Sequence, residues 1–176
     1  LPADYTFTGT ENGVMIFSGL TLKTAASQTV TVTDTATAKS GTTNNITVTP
    51  DVATAFTVTG PSSSTAGASF DISVTAKDQF NNVATGYSGT VHFTSSDAHA
   101  GITLPNDFTF QAADNGSHTF TGSSALQTAG NQTVSVTDTV TAALTGTSGS
   151  INITPATATV FSITAPASAT AGAPFT

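Results

Sequence analysis

Phe70-Asp71-Ile72-Ser73-Val74-Thr75-Ala76-Lys77 alternates apolar and polar residues without a break. In an extended chain successive side chains point to opposite faces. Phe70, Ile72, Val74 and Ala76 then form one face, and Asp71, Ser73, Thr75 and Lys77 the other. A helix would scatter both sets around its circumference, so the stretch predicts a half-buried β-strand. The same period recurs on either side of it. Upstream, Phe56 and Val58 mark a first strand, ended by Gly60-Pro61. Downstream, Val91 and Phe93 mark a third, Phe108 and Phe110 a fourth and Phe120 a fifth. Val134 and Val136 mark a sixth, and Ile151 and Ile153 a seventh. Asp114-Asn115-Gly116 predicts a hairpin turn between the fourth and fifth, because Asn-Gly accepts the positive φ such turns need.

Helical periodicity is missing throughout. About seven short strands separated by Gly, Asn and Ser predict an all-β fold, an antiparallel immunoglobulin-like β-sandwich. There is no Cys, so the inward Phe, Val and Ile must replace any core disulfide.

The chain also repeats itself. Leu1-Pro-Ala-Asp-Tyr-Thr-Phe7 returns as Leu104-Pro-Asn-Asp-Phe-Thr-Phe110, and Glu11-Asn12-Gly13 as Asp114-Asn115-Gly116. Gln28-Thr-Val-Thr-Val-Thr-Asp-Thr35 returns as Gln132-Thr-Val-Ser-Val-Thr-Asp-Thr139. Ala53-Thr-Ala-Phe-Thr-Val58 returns as Ala158-Thr-Val-Phe-Ser-Ile163, and Thr65-Ala-Gly67 as Thr170-Ala-Gly172. A period of about 100 residues is too long for a solenoid and suits tandem whole domains. The expected division is residues 1–50 as the C-terminal half of one repeat, 51–155 as a complete repeat, and 156–176 as the N-terminal part of the next. Two explanations of the partial copies stand: a window from a longer protein, or complementation of 1–50 by 156–176 of another molecule. The second leaves the equivalent of Asp71–Thr103 unfilled. Between copies, Thr49-Pro50-Asp51-Val52-Ala53 and Thr154-Pro155-Ala156-Thr157-Ala158 are short proline linkers, which predict a semi-rigid rod.

Composition narrows the partners. Charged residues make up 7% of the chain, against about 25% in an average protein. Thr supplies 39 of 176 residues, Arg is absent, and Lys23, Lys39 and Lys77 are the only lysines. With a net charge of −7 and no basic patch, nucleic acid and anionic membrane are poor partners. No apolar stretch approaches the length of a membrane helix, so direct membrane insertion of this segment is not expected. A cysteine-free, Thr-rich, Lys-poor chain fits an extracellular or cell-surface setting in a microbe.

The run from Thr65-Ala-Gly67 through Phe70–Lys77, Asp78-Gln-Phe-Asn-Asn82 and Thr90-Val-His-Phe93 to Ser96, with Asp114-Asn-Gly116 and Thr128-Ala-Gly130 after it, resembles a known module. It is similar to the bacterial Ig-like repeats of large surface proteins, the invasin/intimin type in particular, and the resemblance spans both partial copies. It implies a non-catalytic stalk or extracellular fibre or filament segment of a bacterial surface protein, in contact with neighbouring repeats and open to self-association. The alternative is an adhesin-like binding module that meets a glycan or protein through loops such as Asp78–Tyr87 or Asp97–Thr103. The absence of Trp and the presence of only Tyr5 and Tyr87 weigh against a sugar platform.

No enzyme is expected. Gly-x-Ser-x-Gly, phosphate-loop and zinc patterns are all missing. His118 aligns with Met15 in the earlier copy, and a general base could not be exchanged for a thioether. His92 alternates outward between Val91 and Phe93, and His99 lies in a loop. Asp34 and Asp138 repeat within Thr-Asp-Thr after a strand, where a carboxylate can accept turn N–H groups. Calcium is the alternative reading of those two. No cofactor is expected. Were calcium bound, its ligands would be sought at Asp78, Asn81, Asn82 and Asp51, although no Asp-x-Asp-x-Asp run supplies the six to eight oxygens calcium takes. Asn45, Asn115, Asn131 and Asn152 fit the N-glycosylation pattern, and the Thr clusters could carry O-linked sugar.

Overall fold

The computed structural model describes residues 1–174, and the described chain is all-β and sandwich-like, with one short 3-10 turn at Ala112–Asp114. Four short strands lie in the first fifty residues: β1 (Ala26–Gln28), β2 (Thr31–Thr33), β3 (Ser40–Thr42) and β4 (Ile46–Val48). Next come β5 (Ala55–Thr59), β6 (Ser63–Thr65), β7 (Phe70–Lys77), β8 (Thr90–Ser95) and β9 (Phe108–Thr109). The last are β10 (Ser117–Ser124), β11 (Gly130–Gln132), β12 (Val134–Asp138), β13 (Thr145–Thr147) and β14 (Ile151–Thr154). The final two residues of the segment 156–176 lie outside the described chain.

One sheet runs β10-β7-β5, a second β13-β12-β8-β9, and a third β11-β14-β6; β1 pairs with β4 and β2 with β3. Apolar residues alternate inward as the sequence predicts. Phe56 and Val58 from β5, and Phe70, Ile72, Val74 and Ala76 from β7, join one cluster with Val91, Phe93, Val134, Val136, Ile151 and Ile153. Edge-to-face aromatic contacts link Phe56, Tyr87, Phe110, Phe108, Phe120 and Phe93 in series at 4.8–5.5 Å. Each such pair contributes about 0.5–1.5 kcal/mol beyond the area it buries. The polar faces are joined by hydroxyl pairs across neighbouring strands, among them Ser73–Thr119, Thr75–Ser117, Thr90–Thr109 and Ser135–Thr147 at 2.7–2.9 Å. The high Thr content thus satisfies itself across strands where other proteins use charge pairs.

The structure corrects the strand plan in three places. Between residues 51 and 155 there are ten strands rather than seven, because two predicted strands divide and β6 is added. At Thr133 the chain leaves the ladder, its N–H donating to Ser96 Oγ, which separates β11 from β12. Ser148 divides β13 from β14, its hydroxyl accepting Val134 N–H at 3.0 Å. Second, the pairing is not wholly antiparallel, since β14 and β6 run parallel. Third, Asn115 and Gly116 do take positive φ, 47° and 77°, but they close no hairpin. β9 pairs with β8 and β10 with β7, so this turn carries the chain from one sheet to the other.

Among the described residues, every buried one falls in the span from Phe56 to Ile153. Outside that span, residues that match core positions by sequence are open to solvent. Phe7 is 54% exposed where Phe110 is 1%, and Val32 is 65% exposed where Val136 is 0%. Phe161 and Ile163 are 88% and 90% exposed, where Phe56 and Val58 are each 6%.

Candidate functional site

A polar network joins Pro50-Asp51 to the loop after β7 and reaches into the first fifty residues. Proline fixes φ at position 50, and Asp51 follows it directly against that loop. Asp78, buried at the end of β7, holds the loop closed: its Oδ1 accepts the N–H groups of Phe80 at 2.9 Å and Asn82 at 2.8 Å. Its Oδ2 accepts Asp51 N–H at 3.0 Å and Asn82 Nδ2 at 2.8 Å. Asp51 returns the contact, its Oδ2 accepting Gln79 Nε2 at 2.9 Å. Burial pushes the Asp78 carboxyl up, but the Asn82 carboxamide and the three N–H donors outweigh it, so its pKa stands below the ordinary carboxylate value.

Asn82 extends the network to the first fifty residues. Its Oδ1 accepts Ala25 N–H at 2.8 Å, and its Nδ2 donates to Lys23 C=O at 2.8 Å. The two acceptors around Nδ2 and the single donor at Oδ1 fix which way the amide faces. Beside it, the Lys23 ammonium stands 5.3 Å from the centre of the Phe80 ring, an arrangement worth about 0.5–1 kcal/mol at an exposed site.

Of the four residues singled out as calcium ligands, Asp51, Asp78 and Asn82 come together and Asn81 stands apart. Asn81 occupies φ 66° and turns the chain, and its C=O receives Lys77 Nζ at 3.4 Å. The oxygens of the other three already accept protein N–H groups. Among the described residues there is no cluster of three or more His, Cys, Asp or Glu fit to hold a metal. The donor set is arranged for hydrogen bonds between segments.

Two further carboxylates organise loops. Asp138 Oδ1 accepts the N–H groups of Val140 at 2.8 Å and Thr141 at 2.7 Å, while Tyr87 donates its hydroxyl to Oδ2. This is the turn role expected at that position, and Asp34 repeats it with Ala36 N–H and the Thr37 hydroxyl. Burial raises the Tyr87 pKa above its ordinary value, and Asp138 adds to the effect. Tyr87, Asp138, Gly89 and Leu144 line a cleft of about 580 Å³ with Pro50 and Asp51. Gly89 lies at a close approach in this cleft, since a Cβ there would collide with Asp138 Oδ2 and the Tyr87 hydroxyl.

Asp97 was not singled out by sequence as more than part of a loop. It is 2% exposed and takes four donors: His99 N–H at 3.0 Å and Thr128 Oγ1 at 2.7 Å on Oδ1, Gln127 N–H at 2.7 Å and Thr128 N–H at 2.9 Å on Oδ2. Burial pushes this carboxyl up, yet the hydrogen bonds led by Thr128 win and hold it well below the usual carboxylate range. The sequence held part of the signal, because Asp97-Ala98-His99 has the spacing of an Asx turn. The donors from Gln127 and Thr128, thirty residues on, left no local mark.

The three histidines are dispersed. His92 faces outward as predicted and pairs with exposed Asp107 at 2.7 Å. His118 pairs with Asp114 at 2.7 Å and stacks on Phe108 at 4.1 Å. His99 Nδ1 accepts Gly101 N–H at 3.0 Å. No family model matches the chain, and no curated protein matches it.

Proposed function

We propose that this chain is a run of non-catalytic immunoglobulin-like repeats that serves as a semi-rigid stalk or filament segment outside a bacterial cell. The observation that carries the reading is that two copies share one backbone plan. In the first, Ala26 lies opposite Val48 and Thr31 opposite Thr42. In the second, the matching residues Gly130 and Ile153, and Ser135 and Thr147, are paired in the same register. Strand order supports the immunoglobulin-like assignment: β5, β7 and β10 form one layer, and β8, β12 and β13 another, as the A-B-E and C-F-G strands do. One complete repeat at 51–155, with 1–50 and 156–176 as parts of its neighbours, would account for the core matches that stand open to solvent in the two flanking segments.

A stalk needs joints that resist bending, and the bonds from Asp51, Asp78 and Asn82 would supply one. The loops that an adhesive module would keep free are tied into these internal networks, which favours extension and spacing over ligand recognition. Small-angle scattering from a chain of three copies tests the reading. It should give a rod of roughly 35–45 Å per copy, unchanged by EDTA. A compact particle, or a rod that collapses on chelation, would replace it with a model of calcium-stiffened joints.

A further inference from the structure

The carboxamide of Asn82 binds a loop of the preceding segment through one backbone donor and one backbone acceptor, Ala25 N–H and Lys23 C=O. The same loop recurs as Gln127-Thr128-Ala129. It has the same backbone course: Ala26 takes φ 125° after the first loop and Gly130 takes φ 115° after the second. The strands that leave each loop, β1 and β11, then enter ladders of identical register. Asp97 draws the N–H groups of Gln127 and Thr128 inward. Gln127 turns its own carboxamide to Gly101 C=O at 3.1 Å. Ala129 N–H and Gln127 C=O have no hydrogen-bond partner among the described residues, and Ala129 is exposed where Ala25 is half-buried under Asn82.

We propose that the loop Gln127–Ala129 is a docking surface for another copy of this repeat, which it receives through the Asn at the position of Asn82. The inference rests on the tandem-repeat reading above and names the residues by which successive repeats engage. It makes the joint directional, since each repeat has the Asn loop at one end and the backbone pair at the other. It also grades the joints. Lys23 adds a cation over Phe80, whereas Gln127 offers no charge at that place, so the second joint keeps the bidentate amide contact alone.

The test uses the full chain with residues 156–176 replaced by a second copy of 51–176, and reads backbone amide exchange. Ala129 N–H, fast in the original chain, should slow by about tenfold or more, as a newly bonded amide does. Asn82→Ala in the added copy alone should restore fast exchange at Ala129 and leave Ala25 protected. Asn82→Ala in the original copy should do the reverse. If the added copy folds, with its own core amides protected, and Ala129 still exchanges fast, the docking proposal is overturned while the tandem reading stands. An added copy that fails to fold overturns both.

Discussion

Single residues here act mainly by closing loops. Asp97 collects donors from two loops in a place where water does not reach, so each donor depends on it. Asp97→Asn substitutes an amide nitrogen for one acceptor oxygen and leaves N–H groups without partners. The expected loss is about 1–3 kcal/mol, measurable by urea denaturation. The pH dependence follows from the same bonds. Asp78, Asp97 and Asp138 all have folded pKa values below their unfolded ones. Their contribution is fully present above the unfolded carboxyl pKa of about 3.9 and is lost as pH falls through the lower folded values. Melting temperature should therefore hold between pH 7 and 5 and fall below about pH 4, less steeply in Asp97→Asn. Gly130 acts through backbone alone. At φ 115° with open space where a Cβ would stand, Gly130→Ala meets no clash yet enters a region side chains rarely adopt. It should cost about 1–3 kcal/mol; a change near zero in the same urea titration would show that the loop re-forms at another φ.

At the scale of strands, legibility followed the size of the inward residues. β5, β7, β8 and β12 alternate large apolar with polar residues, and both the strands and their parity could be read from sequence. Ser63-Ser64-Thr65 carries no apolar residue, and its parallel partner β14 lies some ninety residues away, so nothing local marked β6. The divisions at Thr133 and Ser148 were hidden for a related reason: hydroxyls replace ladder partners there, and Ser and Thr occur everywhere in this chain. The linker site was half legible. Asp78, Asn82 and Asp51 could be chosen as an oxygen-rich group, but sequence did not reveal that their oxygens face protein N–H groups. Parity within β8 gives a sharp test. Phe93, 4% exposed, packs on Phe120 at 4.8 Å, while His92 between the two inward residues points to solvent. Phe93→Ala should cost about 3–5 kcal/mol, and His92→Ala should stay within about 0.5 kcal/mol of the parent. Equal losses would mean the strand is shifted by one residue, which exchanges its two faces.

The whole molecule divides its apolar residues unevenly, and this bears on what can fold alone. Residues 51–155 contain all the strands that enclose the core cluster, from Phe56 on β5 to Ile153 on β14. The first fifty residues supply two short ladders, β1 with β4 and β2 with β3, and the segment's apolar side chains Phe7, Phe17 and Val32 are 41–65% exposed. Two-stranded ladders without a covered face are at best marginal in water. Residues 51–155 expressed alone should therefore be a monomer with a single cooperative thermal transition, seen alike in near- and far-ultraviolet circular dichroism. Residues 1–50 alone should show no transition. Loss of the Lys23 and Ala25 contacts to Asn82 should cost the isolated 51–155 little, because these bonds lie at the surface of the Asp78 loop and outside the cluster. Should 1–50 melt cooperatively by itself, or should 51–155 need residues 1–50 to fold, the division of the chain at the Pro50-Asp51 linker would have to be withdrawn.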